Sequence, residues 1–247
     1  MNDFNQLIES CSYLLHTSPL AKNALLYLDN RISKDAQKKF NFGFFPQQED
    51  LKVLFPFINQ EKLLELNIIY SKYNVYFSTF DNHNLILPYR DVYGNIIAIV
   101  GRSLLEDEQR KIIGISKYKN TSFDKSKHLF GFFEAKKTVI EKGYIYIVEG
   151  QFDCIQAHNS NITNVVALGS SNMSMEQVIL LLRYTNNVIL LLDNDEAGEE
   201  GRRRIIDKYS KYMNVKNAYI PLGFKDLDEF LIEMGGSGDL ENSLRLD

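Results

Sequence analysis

Two short apolar runs dominate the hydrophobic pattern in the second half of the chain. The first, at 145–148, ends in Glu149-Gly150, and the second, at 188–192, ends in Asp193-Asn194-Asp195. Segments of helical periodicity separate the two runs, a setting in which such runs are typical of buried parallel strands. Similar patterns predict two further strands and the helices around them: strands at 164–168 and 215–221, and helices at 135–142, 151–158, 175–184 and 196–212. The pattern therefore predicts a four-stranded parallel sheet flanked by helices.

The first half of the chain has a different pattern. Residues 3–30 carry apolar stripes at helical spacing, and Ser18-Pro19 opens a second helix there because proline suits a first turn. Ser33 is the predicted N-cap of a third helix. Residues 84–91 and 96–102 read as the two strands of a hairpin that turns at 93–95. We therefore predict an α/β protein with an α+β N-terminal subdomain ahead of the parallel sheet.

Acidic residues follow the two apolar runs. Functional groups in open α/β sheets gather at the carboxyl ends of the strands, so Glu149, Asp193 and Asp195 are expected to share one sheet edge. Three carboxylates at one place repel unless they are protonated or bridged by a cation. The hard, oxygen-seeking ion that suits such a site is Mg²⁺.

Each acid also has a purely structural interpretation. Asp195 precedes a helix and is a suitable N-cap. Asp153 lies one helical turn after Glu149 and either supports the acidic site or is a first-turn acid favoured by the helix dipole. The turn 169–171 either presents backbone N–H groups to a phosphate or is a plain tight turn. His158 is predicted to lie at an exposed helix end.

Composition narrows the class of protein. The 247 residues are 45% hydrophobic and 24% charged, as in an ordinary globular protein. Cys11 and Cys154 stand far apart, so we expect buried free thiols, no disulfide and no zinc site. No apolar run reaches membrane-spanning length, and no signal-peptide pattern is present, so a cytoplasmic location without membrane contact is predicted.

Charge distribution matters more than net charge here. The formal net charge is −4, which does not favour nucleic-acid binding by the molecule as a whole. Between 110 and 127, however, the only acid is Asp124, and the bases are Arg110, Lys111, Lys117, Lys119, Lys125 and Lys127. Such a run is commonly a solvated face. Its interleaved Tyr118, Asn120 and Phe123 also suit a groove for nucleic-acid template and nucleotide phosphates.

These motifs resemble a known family. Val148-Glu149-Gly150 followed by Asp193-Asn194-Asp195 resembles the TOPRIM signature of bacterial-type primases, topoisomerases and some nucleases. Further elements, in the order found in DnaG-type primase catalytic cores, resemble that family: the P-x-R-D strand end at 88–91, Gly101-Arg102, K-Y-x-N-[ST] at 117–121, K-[GS]-x-x-L-[YF]-G at 125–131, and K-D-P-D-E-F-L at 225–231. Leu227 replaces the usual proline of the last element.

The resemblance implies a function and a site. The implied reaction is DNA-templated synthesis of short RNA primers from NTPs. Glu149, Asp193 and Asp195 would be catalytic, and with Asp226 and Asp228 would hold Mg²⁺ or Mn²⁺, supported by Gly150 and Asp153. The residues expected to bind template and incoming nucleotide are Arg90, Arg102, Lys117, Lys119, Asn120 and Lys125. The implied partners are single-stranded DNA, NTPs, the RNA primer, and a replicative helicase or a separate zinc-binding template-recognition protein.

Three segments are expected. Residues 1–138 would form the basic N-terminal subdomain, 139–222 the TOPRIM domain, and 223–247 an acidic element, a short helix and a flexible tail. The cysteine-rich zinc domain and the helicase-interaction domain of the family are expected to be absent. Two rival functions use the same acids: a metal-dependent TOPRIM nuclease, and a nucleic-acid-binding subunit with a vestigial site.

Overall fold

The computed structural model describes residues 3–234 together with 245 and 246. It divides into two compact units. The first comprises residues 3–89 and 95–123, and the second comprises 90–94 and the described residues from 124 onward. The segment boundaries expected at 138 and 222 remain predictions. No helix in the described ranges is long and apolar enough to cross a membrane.

The first unit combines short helices with antiparallel strands. Ser33 caps the third helix by accepting a hydrogen bond from the N–H of Ala36, as its position predicts. A four-stranded sheet has the order β1-β4-β5-β6, and β2 and β3 form a separate hairpin. The elements are α1 (Asp3–Thr17), α2 (Lys22–Asp29), α3 (Lys34–Phe40), β1 (Gly43–Phe44), α4 (Gln60–Glu65), β2 (Ile69–Lys72), β3 (Val75–Ser78), β4 (Leu85–Arg90), β5 (Ile96–Arg102), α5 (Asp107–Ile113) and β6 (Tyr118–Asn120), with 3-10 helices at Pro19–Ala21 and Gln48–Leu54.

The second unit contains the predicted parallel sheet. Its four parallel strands lie in the order β8-β7-β9-β10, and β11 pairs antiparallel with β10 at the edge. The elements are a 3-10 helix at Lys125–Lys127, α6 (Phe132–Lys142), β7 (Ile145–Val148), α7 (Gln151–Asn159), β8 (Val165–Ala167), α8 (Met175–Leu181), β9 (Asn187–Leu190), α9 (Glu196–Tyr209), β10 (Asn214–Tyr219), α10 (Leu227–Glu233) and β11 (Arg245–Leu246). The predicted fold class is confirmed.

The strands of this sheet are apolar because helices cover them. All four residues of β7 and all three of β8 are buried. Side chains from α6, α8 and α9 pack with these strands in one apolar cluster, and burial of this kind on both faces is characteristic of parallel strands. The packing leaves the carboxyl ends of β7 and β9 as the places where polar side chains emerge.

One prediction about this unit is wrong, and another falls largely outside the described residues. His158 is 5% exposed rather than at an exposed helix end, and its Nε2 lies 3.0 Å from the carbonyl oxygen of Val165. The flexible tail expected after residue 234 falls largely outside the described residues, while 245 and 246 pair with β10.

Candidate metal centre

The strand ends of β7 and β9 meet, and each supplies an acid. Glu149 follows β7 directly, and Asp193 follows β9 after two buried leucines. One carboxylate oxygen of Glu149, Oε1, accepts a hydrogen bond from the backbone N–H of Asp193 at 3.4 Å. The two acids therefore lie side by side at the sheet edge where the sequence predicted them.

A glycine allows helix α9 to begin close to these acids. A Cβ atom on Gly198 would lie 2.2 Å from the carbonyl oxygen of Asp193 and 3.1 Å from Oε1 of Glu149. The first distance leaves no room for a side chain, because the atom in the way belongs to the backbone, and the second is tight. Gly198 thus brings the first turn of α9 into contact with both strand ends.

Two aspartates of the predicted site are helix N-caps. Oδ1 of Asp195 accepts from the N–H of Gly198 at 2.9 Å, and Oδ1 of Asp226 accepts from the N–H of Glu229 at 2.9 Å. In each case the other carboxylate oxygen accepts no hydrogen bond from a described residue. The structural interpretation of Asp195 is therefore correct, and it leaves one oxygen of each aspartate for a ligand.

Asp153 connects two acidic segments. It is 7% exposed, and its Oδ2 accepts from the N–H of Gly150 at 3.1 Å. Its Oδ1 accepts from the N–H of Asp228 at 2.9 Å. One carboxylate therefore ties the Glu149-Gly150 turn to the start of α10. Gly150 has no room for a Cβ atom, which would lie 2.4 Å from Oδ2 of Asp153.

Burial, with mutual repulsion second, raises the pKa values of three of these acids. Burial, followed by the charges of Glu149, Asp226 and Asp195, raises the pKa of Asp193 to about 7. Burial, followed by the charges of Asp226 and Asp193, raises the pKa of Asp153 to about 8. Burial is also the main cause that raises the pKa of Glu149. Asp193 is therefore close enough to Glu149, Asp195 and Asp226 for their charges to affect it.

The residues at the sheet edge carry donor atoms that suit a hard divalent cation, but no three of the described side chains converge on one point. No three His, Cys, Asp or Glu side chains within the described ranges are placed so that they could hold a metal ion together as they stand. The side chains at the sheet edge offer only carboxylate oxygens, the donors that Mg²⁺ prefers. A cation would also offset the mutual repulsion that, after burial, raises the pKa values of Asp193 and Glu149. Convergence of three carboxylates on one ion requires some of these side chains to rotate.

An arginine behind the acids was missed by sequence reasoning. Of the run 202–204, Arg202 is 2% exposed while Arg203 and Arg204 are exposed. Nη2 of Arg202 donates to the carbonyl oxygen of Leu192 and, at 3.2 Å, to that of Asp193. Its guanidinium carbon lies 5.0 Å from the centroid of the Tyr219 ring. Arg202 therefore holds the backbone from which Asp193 projects.

Two of the predicted phosphate-binding residues belong to the second unit. The half-buried Lys125 runs past the turn after β8, since a Cβ atom on Gly169 would lie 3.4 Å from its Cδ and 3.7 Å from its Nζ. The N–H of Gly169 donates to the carbonyl oxygen of Glu149 at 2.8 Å. Lys125 therefore reaches the acidic sheet edge. Arg90 instead forms a largely buried ion pair with Glu134, with 2.8 Å between Nη1 and Oε1.

The other four belong to the first unit. Arg102 is buried between two tyrosines, and its guanidinium donates to the hydroxyl of Tyr27 at 2.7 Å and to that of Tyr118. Lys117 and Lys119 are exposed on either side of Tyr118. The side-chain oxygen of Asn120 is buried without a hydrogen-bond partner among the described residues. The predicted roles of these residues in binding template or nucleotide remain predictions.

Comparison with known proteins identifies the family. Residues 12–136 match the family described as DNA primase catalytic core, N-terminal domain, and residues 146–231 match a family described as Toprim-like. A DNA primase of Aquifex aeolicus is 32% identical over 229 residues, which cover 91% of this chain and 45% of that protein. The chain spans less than half of the length of the curated DNA primases it matches.

Solved structures share the fold. The zinc-binding and RNA polymerase domains of the Aquifex aeolicus primase give a TM-score of 0.78 at 28% identity, covering 100% of this chain and 63% of that chain. A DnaG primase catalytic domain bound to single-stranded DNA gives a TM-score of 0.76 at 24% identity, covering 98% of this chain and 78% of that chain. With an N-terminal primase-core match followed by a Toprim-like match, this chain belongs to the family of DnaG-type primase catalytic cores.

Proposed function

We propose that this chain is the catalytic part of a DNA primase, which makes short RNA primers from NTPs on a single-stranded DNA template. One observation carries the proposal. The primase-core match at 12–136 is followed by a Toprim-like match at 146–231, and within the latter Glu149 and Asp193 meet at one sheet edge. The curated relatives are DNA primases, and the related catalytic domain described above was solved with single-stranded DNA.

The acids are proposed to form the reaction centre. Asp193, Asp195, Asp226 and Asp228 would hold Mg²⁺ or Mn²⁺, each offering carboxylate oxygen. A divalent ion bound there supplies neutralisation of phosphate charge and activation of the primer 3′-hydroxyl. Glu149 is either a further ligand or the base that accepts the proton of that hydroxyl. Burial raises its pKa, which makes this carboxylate a better proton acceptor than an exposed glutamate.

The basic residues are proposed to bind phosphates. Lys117 and Lys119 are exposed and present their charges to solvent, as phosphate contacts require. Arg102 is held by two tyrosine hydroxyls, so its orientation is fixed before any ligand arrives. Lys125 lies beside the turn at Gly169, next to the acidic edge, and suits a triphosphate oxygen. Arg90 contributes less, because Glu134 already compensates its charge.

The decisive assay is primer synthesis on single-stranded DNA with labelled NTPs, in Mg²⁺ and separately in Mn²⁺. The wild type is compared with Glu149→Gln and with Asp193→Ala combined with Asp195→Ala. We expect short RNA products that fall by at least roughly 100-fold in both variants, because the base or the ligands are removed. Asp207→Ala is the control, since this aspartate is exposed on α9 away from the acidic edge.

The same assay separates the rival functions. Metal-dependent shortening of the template without added NTPs would replace the primase proposal by a nuclease. Nucleic-acid binding that is unchanged in the variants, with neither synthesis nor cleavage, would favour a vestigial site. A replicative helicase, a zinc-binding template-recognition protein and a cytoplasmic location remain predictions. Adding the first two partners to the assay tests whether they stimulate synthesis.

A further inference from the structure

The turn that delivers Asp226 has little packing of its own. It joins β10 to α10, and at its tip Leu222 is 98% exposed and Gly223 has a φ of +104°. The Phe224 ring contacts Phe230 at a centroid distance of 5.2 Å. Inside the turn the backbone contact is weak, with 3.4 Å between the nitrogen of Phe224 and the carbonyl oxygen of Pro221. The turn therefore depends on contacts from outside itself.

Asn194 supplies those contacts. Its side-chain Nδ2 donates to the carbonyl oxygen of Ile220 at 3.0 Å and to that of Phe224 at 3.0 Å. Its backbone N–H donates to the carbonyl oxygen of Lys225 at 2.8 Å. One residue thus binds the beginning and the end of the turn through three hydrogen bonds.

We infer that Asn194 is a positioning residue that fixes the Asp226-Leu227-Asp228 segment relative to Asp193 and Asp195. Asn194 lies between Asp193 and Asp195 in the sequence. Its side chain contacts the turn that precedes Asp226 and Asp228. Asn194 thereby joins the β9 end to this turn, alongside the contact that Asp153 makes with the N–H of Asp228. The inference rests on the proposed function, because it assigns Asn194 to the metal site of that reaction.

The chemistry of the contact requires an amide. An NH₂ group has two donors and can serve two carbonyl oxygens at once. A carboxylate at the same place would face those oxygens with like partial charge, and a shorter apolar side chain would leave both to water. The segment after the turn carries Leu227 at the first position of α10, so no proline restricts its backbone. Hydrogen bonds provide the restriction instead, from Asn194 to the turn and from the N–H of Asp228 to Asp153.

The test compares Asn194→Ala with a matched control. Asn187 begins strand β9, and its Nδ2 also donates to a backbone carbonyl, that of Gly143, at 2.9 Å. Asn187→Ala therefore removes the same kind of hydrogen bond from the opposite end of the same strand. Binding of MnCl₂ and of MgCl₂ is measured by isothermal titration calorimetry, and unfolding is followed in urea.

We expect Asn194→Ala to weaken metal binding by roughly 10- to 100-fold, the range for residues that orient metal ligands, while Asn187→Ala leaves it within about twofold. Both variants should lose similar, small amounts of stability. Equal metal affinities for the two variants would overturn the inference, as would a wild type that binds neither ion.

A second substitution tests the same idea by rescue. Proline suits the first helical position, and Asp226 has φ −137° and ψ 171°, an extended conformation that a following proline permits. Leu227→Pro in the Asn194→Ala background should recover metal affinity about two- to fivefold by restricting the backbone. Leu227→Ala in the same background controls for the loss of a buried leucine. Failure of the proline to exceed the alanine would count against the positioning role.

The two hypotheses fail differently. If the wild type binds Mn²⁺ but makes no primers, the proposed function fails, and the affinity ratio of Asn194→Ala to Asn187→Ala still decides the role of Asn194. If primers are made and the ratio is near one, the function stands and the positioning role falls.

Discussion

At the scale of single residues, the backbone of the acidic site is held by a buried arginine, Arg202. Arg202 donates to the carbonyl oxygens of Leu192 and Asp193. Arg202→Met should therefore destabilise the fold by about 1–3 kcal/mol, because the buried carbonyl oxygen of Leu192 and the partly buried one of Asp193 lose this donor. Urea unfolding followed by circular dichroism measures the change.

A neighbouring arginine provides the control for this prediction. Arg203 also pairs with Glu199, at 3.4 Å, but its side chain is 72% exposed. Arg203→Met should cost less than about 1 kcal/mol, as exposed ion pairs do. If the two methionine variants lose the same stability, the proposed importance of the backbone contacts is wrong.

Residue-level predictions from sequence succeeded where the cause was local. The ends of the apolar runs placed Glu149 and Asp193 correctly because strand ends define where polar side chains can emerge. The three consecutive arginines at 202–204 point in different directions around a helix. The sequence does not say which of them contacts the carbonyl oxygens of Leu192 and Asp193. Arg90 finds its partner Glu134 forty-four positions away, and such a pairing is decided only by the tertiary fold.

At the scale of elements, the contact between α9 and the strand ends depends on Gly198. Alanine is the better helix former by about 1 kcal/mol, so propensity alone predicts that Gly198→Ala is stabilising. The added Cβ would lie 2.2 Å from the carbonyl oxygen of Asp193, which forces α9 away from the acids. We therefore expect the opposite sign: a loss of about 1–3 kcal/mol, typical of overpacking, together with weaker metal binding.

Unfolding in urea and calorimetry with MnCl₂ measure both effects. Glu200→Ala is the control, because Glu200 is exposed on the same helix and alanine fits there without a clash. A Gly198→Ala variant as stable as the wild type would show that α9 can move without affecting the strand ends.

Element prediction worked best for the parallel sheet. The apolar runs of β7 and β8 are buried throughout, and such runs leave few alternatives. β10 is only partly buried, yet all four parallel strands lie within a few residues of their predicted positions. The burial of His158 was not foreseen because its ring contacts the carbonyl oxygen of Val165 on β8, a tertiary contact that a local pattern does not reveal. The exposed hairpin of β2 and β3 and the three-residue β6 carry too few alternating positions for the pattern to identify them.

At the scale of the whole molecule, charge is unevenly distributed. A formal net charge of −4 opposes binding to a polyanion, and the acidic edge of the second unit adds to that repulsion. The proposed template binding therefore requires a local basic surface. The exposed lysines at 117 and 119 are the clearest candidates for it, whereas Arg110 from the same run is buried in an ion pair with Asp107.

This uneven distribution leads to a salt-dependence prediction. Affinity for single-stranded DNA should fall linearly with the logarithm of salt concentration, with a slope near −0.7 per phosphate neutralised. Lys117→Ala combined with Lys119→Ala should reduce the magnitude of that slope by about 1.4, because two phosphate contacts are lost. Fluorescence anisotropy of a labelled oligonucleotide over a salt series gives the slope. Lys208→Ala combined with Lys211→Ala removes the same charge from exposed positions in the second unit and should lower affinity only slightly and leave the slope unchanged. Identical slopes for the two double variants would mean that net charge governs binding and that residues 117 and 119 do not contact the template.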